Sequence, residues 1–183
     1  MNIIEFDKAQ AKKKLTQGWY GIVDIGLQEK LLIAGDSKTL WGVFLAQEKS
    51  KSVPAKLRTW LPFIAWEKNQ SWAEKQTPKI KAMWNGKGDM DMTLIGTPFQ
   101  RSVWKQLLKI PRGKTKTYLD VAKAVKKPRA TRAVGTAVGS NPITLLVPCH
   151  RVLASNGGLG GFAWGLPVKK RWLNAEGALK ASA

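Results

Sequence analysis

Residues 145 to 161, "LLVPCHRVLASNGGLGG", hold the only cysteine and the only histidine of the 183-residue chain, adjacent at Cys149 and His150. A thiol becomes a nucleophile when a base or a positive neighbour helps to remove its proton, and His150 is the one imidazole available for that task. Glu176 can orient the imidazole and stabilise its charged form, which would complete a nucleophile, base and orienter chain. Taken alone, a cysteine after an apolar run is usually an inert buried thiol, and a lone histidine usually a satisfied structural group. Spacing does not distinguish a cysteine hydrolase from a thiol that accepts a group. One cysteine forms no intramolecular disulfide and builds no multi-cysteine zinc site, so neither a metal nor a cofactor is expected.

The elements that must position this pair follow from capping and periodicity. "TPFQ" has Thr97 as a cap, Pro98 at the first helical position and Gln100 three residues after the cap, which predicts a helix start. Phe99, Val103, Trp104, Leu107 and Leu108 then lie along one side, and Pro111 with Gly113 ends the element. "TYLD" repeats the start signal, with Thr117 as the cap, Asp120 three residues on, and Val121, Ala122 and Val125 as the apolar stripe. After the break "KKPR", Ala130, Ala133, Val134, Ala137 and Val138 give a third helix with a small-residue face, stopped near Gly139. Two short helices joined by a tight turn, the second flanked by Arg129 and Arg132, resemble a helix-turn-helix. "ITLLV" reads as a buried strand ending at Pro148, and "LPVKKRWLNAEGALK" as a last helix with Pro167 in its first turn.

The first half differs. It holds most of the nine tryptophans, expected to be packing residues and not base-stacking platforms. "LLIAG" and "TLWGVFLA" are β-like runs, and "AEKQTPKIKAMWNGKGDMDMTLIG" reads as turn residues with a further strand. The chain is therefore expected to be α/β with two domains, residues 1–92 and 93–183.

Charge limits the partners. Lys and Arg number 31 against 12 Asp and Glu, a formal net charge of +19. Such a field accelerates encounter with phosphates and gives salt-dependent binding that ignores base sequence, which points to nucleic acid. No apolar run approaches the length of a bilayer span, and the start lacks the order of a secretion signal, so a cytoplasmic protein with no membrane partner is expected.

The ordered series "GTPFQRSVW", "IPRGKTKTY", "RATRAVG", "NPI", "PCHRV" and "GGLGGFAWG", from about Gly96 to Gly177, resembles the O6-alkylguanine-DNA alkyltransferases. The resemblance implies an N-terminal α/β domain with a small antiparallel sheet and a mostly helical, winged-helix-like C-terminal domain. It implies a single-turnover repair protein, monomeric, that takes the alkyl group of O6-alkylguanine, with O4-alkylthymine as a second candidate lesion, from duplex DNA onto Cys149. His150 would act as base through a water, with Glu176 as its partner, and Tyr118 would donate to guanine N3 and help rotate the phosphate. Arg132 would fill the stack left by a flipped nucleotide. Ala130, Thr131, Ala133 and Gly135 would approach the minor groove with Arg151 also on the DNA, and Asn141 would hold the turn before the active-site strand. Val152, Phe162, Ala163 and Trp164 would line the substrate pocket. A protein that flags alkylated bases without repairing them is the alternative, and a thiol hydrolase is a third class.

Phe162 and Ala163 stand where many members of that family have tyrosine and serine, and Trp164 where some have glycine. A tryptophan on the wall narrows the pocket, so methyl groups should transfer much faster than benzyl groups, and Trp164→Gly should selectively restore benzyl transfer. Single-turnover rates on the two lesions check this, and equal wild-type rates would refute it.

Overall fold

The computed structural model describes residues 1–46 and 54–179. The chain divides into two compact units, Met1–Thr97 and Pro98–Ala183. No helix among the described residues is long and apolar enough to cross a membrane.

The first unit is built on a six-stranded sheet. Its strands are β1 (Ile3–Phe6), β2 (Gln17–Val23), β3 (Leu31–Gly35), β4 (Leu40–Leu45), β5 (Ala65–Lys68) and β6 (Met92–Ile95), in the order β1-β6-β4-β3-β2-β5. The expected antiparallel pairing is present in the β2–β3–β4 meander, while β1 and β4 pair parallel to β6 and β5 pairs parallel to β2. β3 and most of β4 are buried on both faces, which is why they read as unbroken apolar runs instead of alternating ones. Helices α1 (Lys8–Lys14), α2 (Ala55–Trp60) and α3 (Gln70–Trp84) complete the unit.

α3 corrects the sequence reading, which had only turn residues and a strand from Ala73 onward. Pro78 lies inside this 15-residue helix. Proline removes one backbone hydrogen bond, but Trp72, Ala73, Ile80 and Trp84 bury a helical face that keeps the element intact. The tryptophans of this unit pack inward or against one another. Trp41 is 1% exposed, and Trp66 meets it edge-on with ring centroids 6.0 Å apart.

The second unit begins with α4 (Pro98–Leu107), whose Val103, Trp104 and Leu107 are buried. The short strand β7 (Lys116–Thr117) leads into α5 (Tyr118–Ala124). Thr117 and Asp120 form the reciprocal capping box expected of "TYLD". α6 (Thr131–Gly139) buries Val134, Ala137 and Val138, whereas Ala133, placed on the packing face by periodicity, is exposed. A 3-10 turn at Cys149–Arg151, the strand β8 (Val152–Leu153) and α7 (Leu166–Ala175) follow. β7 and β8 pair in parallel, Lys116 with Val152 and Thr117 with Leu153, so the start of α5 is tied to the chain just beyond the cysteine.

"ITLLV" is buried but is not a strand. Residues 144–146 form a turn in which Val147 N–H donates to Ile143 O at 2.9 Å and Leu145 takes a φ of 78°. Asn141 explains the departure: its Oδ1 accepts from Ile143 N–H at 3.0 Å and its Nδ2 donates to Val147 O at 2.7 Å. These peptide groups are satisfied by one side chain, so the segment needs no sheet partner.

On β2, Gly21 is where the sheet meets α3: a Cβ there would lie 2.5 Å from Ala73 Cβ. Gly21→Ala should force the helix off the sheet and destabilise the protein by about 1–3 kcal/mol, read as a lower urea midpoint.

Candidate active site

The site is assembled from four pieces of the second unit. Asn141 shapes the turn that delivers Cys149, the 3-10 turn carries Cys149 and His150, α5 supplies Tyr118, and α7 ends at Glu176. A cavity of about 320 Å³ is lined by Tyr118, Asn141, Cys149, Phe162, Ala163 and Trp164. That volume suits one small planar group and lies at the lower end for ligand pockets. Val138, Gly139, Thr144 and Gly161 also face it, and Gly135 reaches it from α6.

Cys149 is 5% exposed. Burial pushes its thiol above the ordinary value, opposed by the Asn141 side chain, the charge of Lys169 and nearby backbone amides. The resting sulfur is therefore a thiol, and the thiolate has to be generated during reaction.

His150 is fully buried beside Trp172, ring centroids 5.4 Å apart and nearly perpendicular. Its Nε2 lies 3.0 Å from Glu176 Oε1. Burial pulls the imidazole below its ordinary value despite the attraction of Glu176, so the ring is neutral near pH 7. Burial alone would raise the Glu176 carboxyl, but hydrogen bonds from His150 and Arg151, with the Arg151 charge, hold it down at about 2. An ionised carboxylate only accepts, so Nε2 carries the imidazole proton and Nδ1 keeps the lone pair. The buried ring thus has one nitrogen oriented by Glu176 and the other able to act as a base.

Arg151 is corrected by the structure. It is not placed at the surface, where a duplex contact was expected: it is 8% exposed, donating from Nε to Glu176 Oε2 at 2.9 Å, from Nη2 to Oε1 at 2.8 Å and from Nη1 to Ile110 O at 2.6 Å. A guanidinium is planar and forked, which matches a carboxylate in a bidentate pair. Val152 also departs from expectation. It is fully buried and outside the cavity lining, its N–H donating to Cys149 O and its C=O accepting from Lys169 Nζ at 2.6 Å.

Tyr118 is half-buried at the cavity, its hydroxyl donating to Gly161 O at 3.3 Å. Burial raises its pKa, so it is a phenol donor at neutral pH. Gly160 lies beneath it, with φ of 66° and room for no side chain: a Cβ would fall 2.9 Å from Tyr118 Cε2. Trp164 donates from Nε1 to Thr144 Oγ1 at 3.0 Å, which fixes the indole as part of the wall. Arg132, Thr131 and Ala130 sit at the start of α6, with Arg132 exposed and the other two partly so.

Lys169 was missed by sequence reasoning, where it is one of three basic residues in a row on a helix. It is fully buried, and Nζ donates to Val152 O, to Leu159 O at 2.5 Å and more weakly to Gly161 O at 3.4 Å. Burial lowers its pKa to about 8, partly offset by Cys149. One ammonium therefore ties β8 to the far end of the glycine loop that borders the cavity. Only its helical phase, with Trp172 and Leu173 on the inner face of α7, could have signalled this.

Known proteins resemble this chain over most of its length. Residues 98–178 match the DNA binding domain of 6-O-methylguanine DNA methyltransferase. The methylated-DNA–protein-cysteine methyltransferase of Methanosarcina mazei is 39% identical over 150 residues, 80% of this chain and 89% of that protein. The inducible enzyme of that name from Bacillus subtilis is 49% identical over 81 residues, covering 44% of this chain and 45% of its own. Among solved structures, the Mycobacterium tuberculosis O6-methylguanine methyltransferase aligns with a TM-score of 0.71 at 32% identity, covering 91% of this chain and 96% of that one. The Mycobacterium tuberculosis OGT in complex with DNA gives 0.69 at 30% identity, with coverage of 89% and 94%. The chain belongs to the methylated-DNA–protein-cysteine methyltransferase family.

Glu176 titrates at about 2 in the fold against an ordinary 4.5. Its contribution, about 3 kcal/mol, is complete above pH 4.5 and is lost as pH falls through 2. Glu176→Gln should lower stability at pH 7 and flatten the acid side of the stability curve, checked by urea unfolding at pH 7, 4 and 3.

Proposed function

We propose that the protein repairs duplex DNA by moving the alkyl group, chiefly methyl, of O6-alkylguanine onto its own Cys149, once per molecule. The observation that carries this is the thiol at the cavity, backed by a neutral histidine whose tautomer is set by a buried carboxylate. O4-alkylthymine is a second, smaller lesion that the same cavity would admit.

The chemistry balances with these groups alone. The Cys149 proton passes to His150, through a water in the family's manner, and Glu176 stabilises the imidazolium that results. Sγ then attacks the alkyl carbon in line, forming the S–C bond as the C–O6 bond breaks, and the bonding pair leaves on the guanine. Tyr118, a donor at neutral pH, stabilises that developing charge at N3. No activated cofactor enters, because the lesion itself supplies the alkyl group. The thioether is stable, so the protein is consumed.

The base must leave the stack to reach Cys149, which costs a few kcal/mol. Arg132, exposed at the start of α6, is the residue we assign to the gap, where a planar cation stacks on the bases left behind. The small residues Ala130, Thr131, Ala133 and Gly135 favour a close approach to the minor groove. Charge supports duplex DNA as the partner: residues 98–183 hold sixteen of the 31 Lys and Arg but two of the 12 Asp and Glu. Of those two, Asp120 is engaged in the capping box and Glu176 is buried. A monomer suffices, since every residue of the proposed chemistry comes from one unit. An acceptor that must stay a free thiol also favours the reducing cytoplasm.

The test is the intact mass of the protein after mixing with duplex DNA carrying one O6-methylguanine. One methyl group should be gained, mapped to Cys149, capped at one per molecule and absent in Cys149→Ala. Tight lesion binding with no gain in mass would indicate damage recognition without repair, and turnover with a released product would indicate a hydrolase.

A further inference from the structure

The end of α5 is closed by backbone alone. Lys127 N–H donates to Ala122 O at 2.9 Å and Lys126 N–H to Lys123 O at 2.9 Å. This is the paired pattern that ends many helices, and it places Lys126 in the left-handed region at φ of 57°. Glycine is the usual residue there, since a β-carbon is disfavoured in that conformation. Among the described residues only Lys126 and Leu145 are non-glycine with positive φ. Leu145 is buried in the turn held by Asn141, whereas Lys126 is exposed. The turn's hydrogen bonds use no Lys126 side-chain atom, so glycine would supply everything the turn requires.

What the lysine adds is charge, at a particular place. Lys123, Lys126, Lys127 and Arg129 are all exposed along the α5–α6 turn, and Arg132 follows on α6. No acidic residue lies between Val121 and Gly139. An unfavourable backbone conformation retained at a surface turn points to function at that turn.

We propose that Lys126 contacts the phosphate backbone of duplex DNA, and that this turn keeps a lysine in a glycine's conformation for the sake of that contact. The inference rests on the reading that this unit binds duplex DNA, and it adds a residue that base flipping and alkyl transfer do not require. A phosphate contact carries no base information, so it serves damaged and undamaged duplex alike.

The experiment compares the full-length wild type with Lys126→Gly and Lys126→Arg. It measures thermal midpoint and affinity for one duplex, with and without O6-methylguanine, over a salt series. Lys126→Gly should raise the thermal midpoint yet weaken binding to both duplexes by a similar factor. It should also reduce the slope of log K against log salt by about 1. Lys126→Arg, which keeps the charge and the strained backbone, should keep the wild-type slope and midpoint. Wild-type affinity and slope in Lys126→Gly would overturn the proposal, as would equal loss of binding in both variants. Methyl transfer and duplex binding by the wild type would leave the repair reading standing in either case. A wild type that bound no duplex would overturn both.

Discussion

The site depends on one buried carboxylate. Glu176 is 5% exposed, and an isolated charge at that depth would be far too costly to keep. It survives because Arg151 grips it bidentately and His150 donates to it. The consequences run outward from that pairing. Arg151 is held inside and also bonds Ile110 O, so the loop after α4 is joined to the end of α7. The ring of His150 is held in one tautomer, with its lone pair on Nδ1.

A second layer of constraint shapes the backbone around the thiol. Asn141 folds the segment before Cys149 into a turn, while Lys169 gathers three carbonyls from β8 and the glycine loop. Both work by satisfying buried peptide groups with a side chain. The Asn141 amide and the Lys169 ammonium each favour the Cys149 thiolate against the burial that disfavours it.

The local signals in the sequence correspond to local structure. The capping box of Thr117 and Asp120, Pro98 at a helix start and the apolar runs of β3 and β4 each follow from interactions within a few residues. The departures come from burial and from side-chain hydrogen bonds that periodicity does not register. α3 persists through Pro78 because its buried face outweighs one missing bond. "ITLLV" avoids a strand because Asn141 replaces the sheet partner. The sequence drew Cys149, His150, Tyr118 and Glu176 to attention; Tyr118 lines the cavity with Cys149, and His150 is bonded to Glu176. Arg151 and Lys169 were misjudged or missed for a shared reason: a basic residue in a +19 chain reads as surface until its carboxylate or carbonyl partners, distant in sequence, are seen.

The protonated, covered state of Cys149 has a consequence for the lifetime of the molecule. A low-pKa thiolate open to solvent reacts with peroxides, disulfides and stray electrophiles. A protein with one acceptor and no means of regeneration would be lost to each such event. Here the sulfur is shielded and uncharged at rest, and its base is sealed in the same interior. Reactivity is thereby made conditional on what occupies the cavity, and the stock of unused molecules is preserved between lesions.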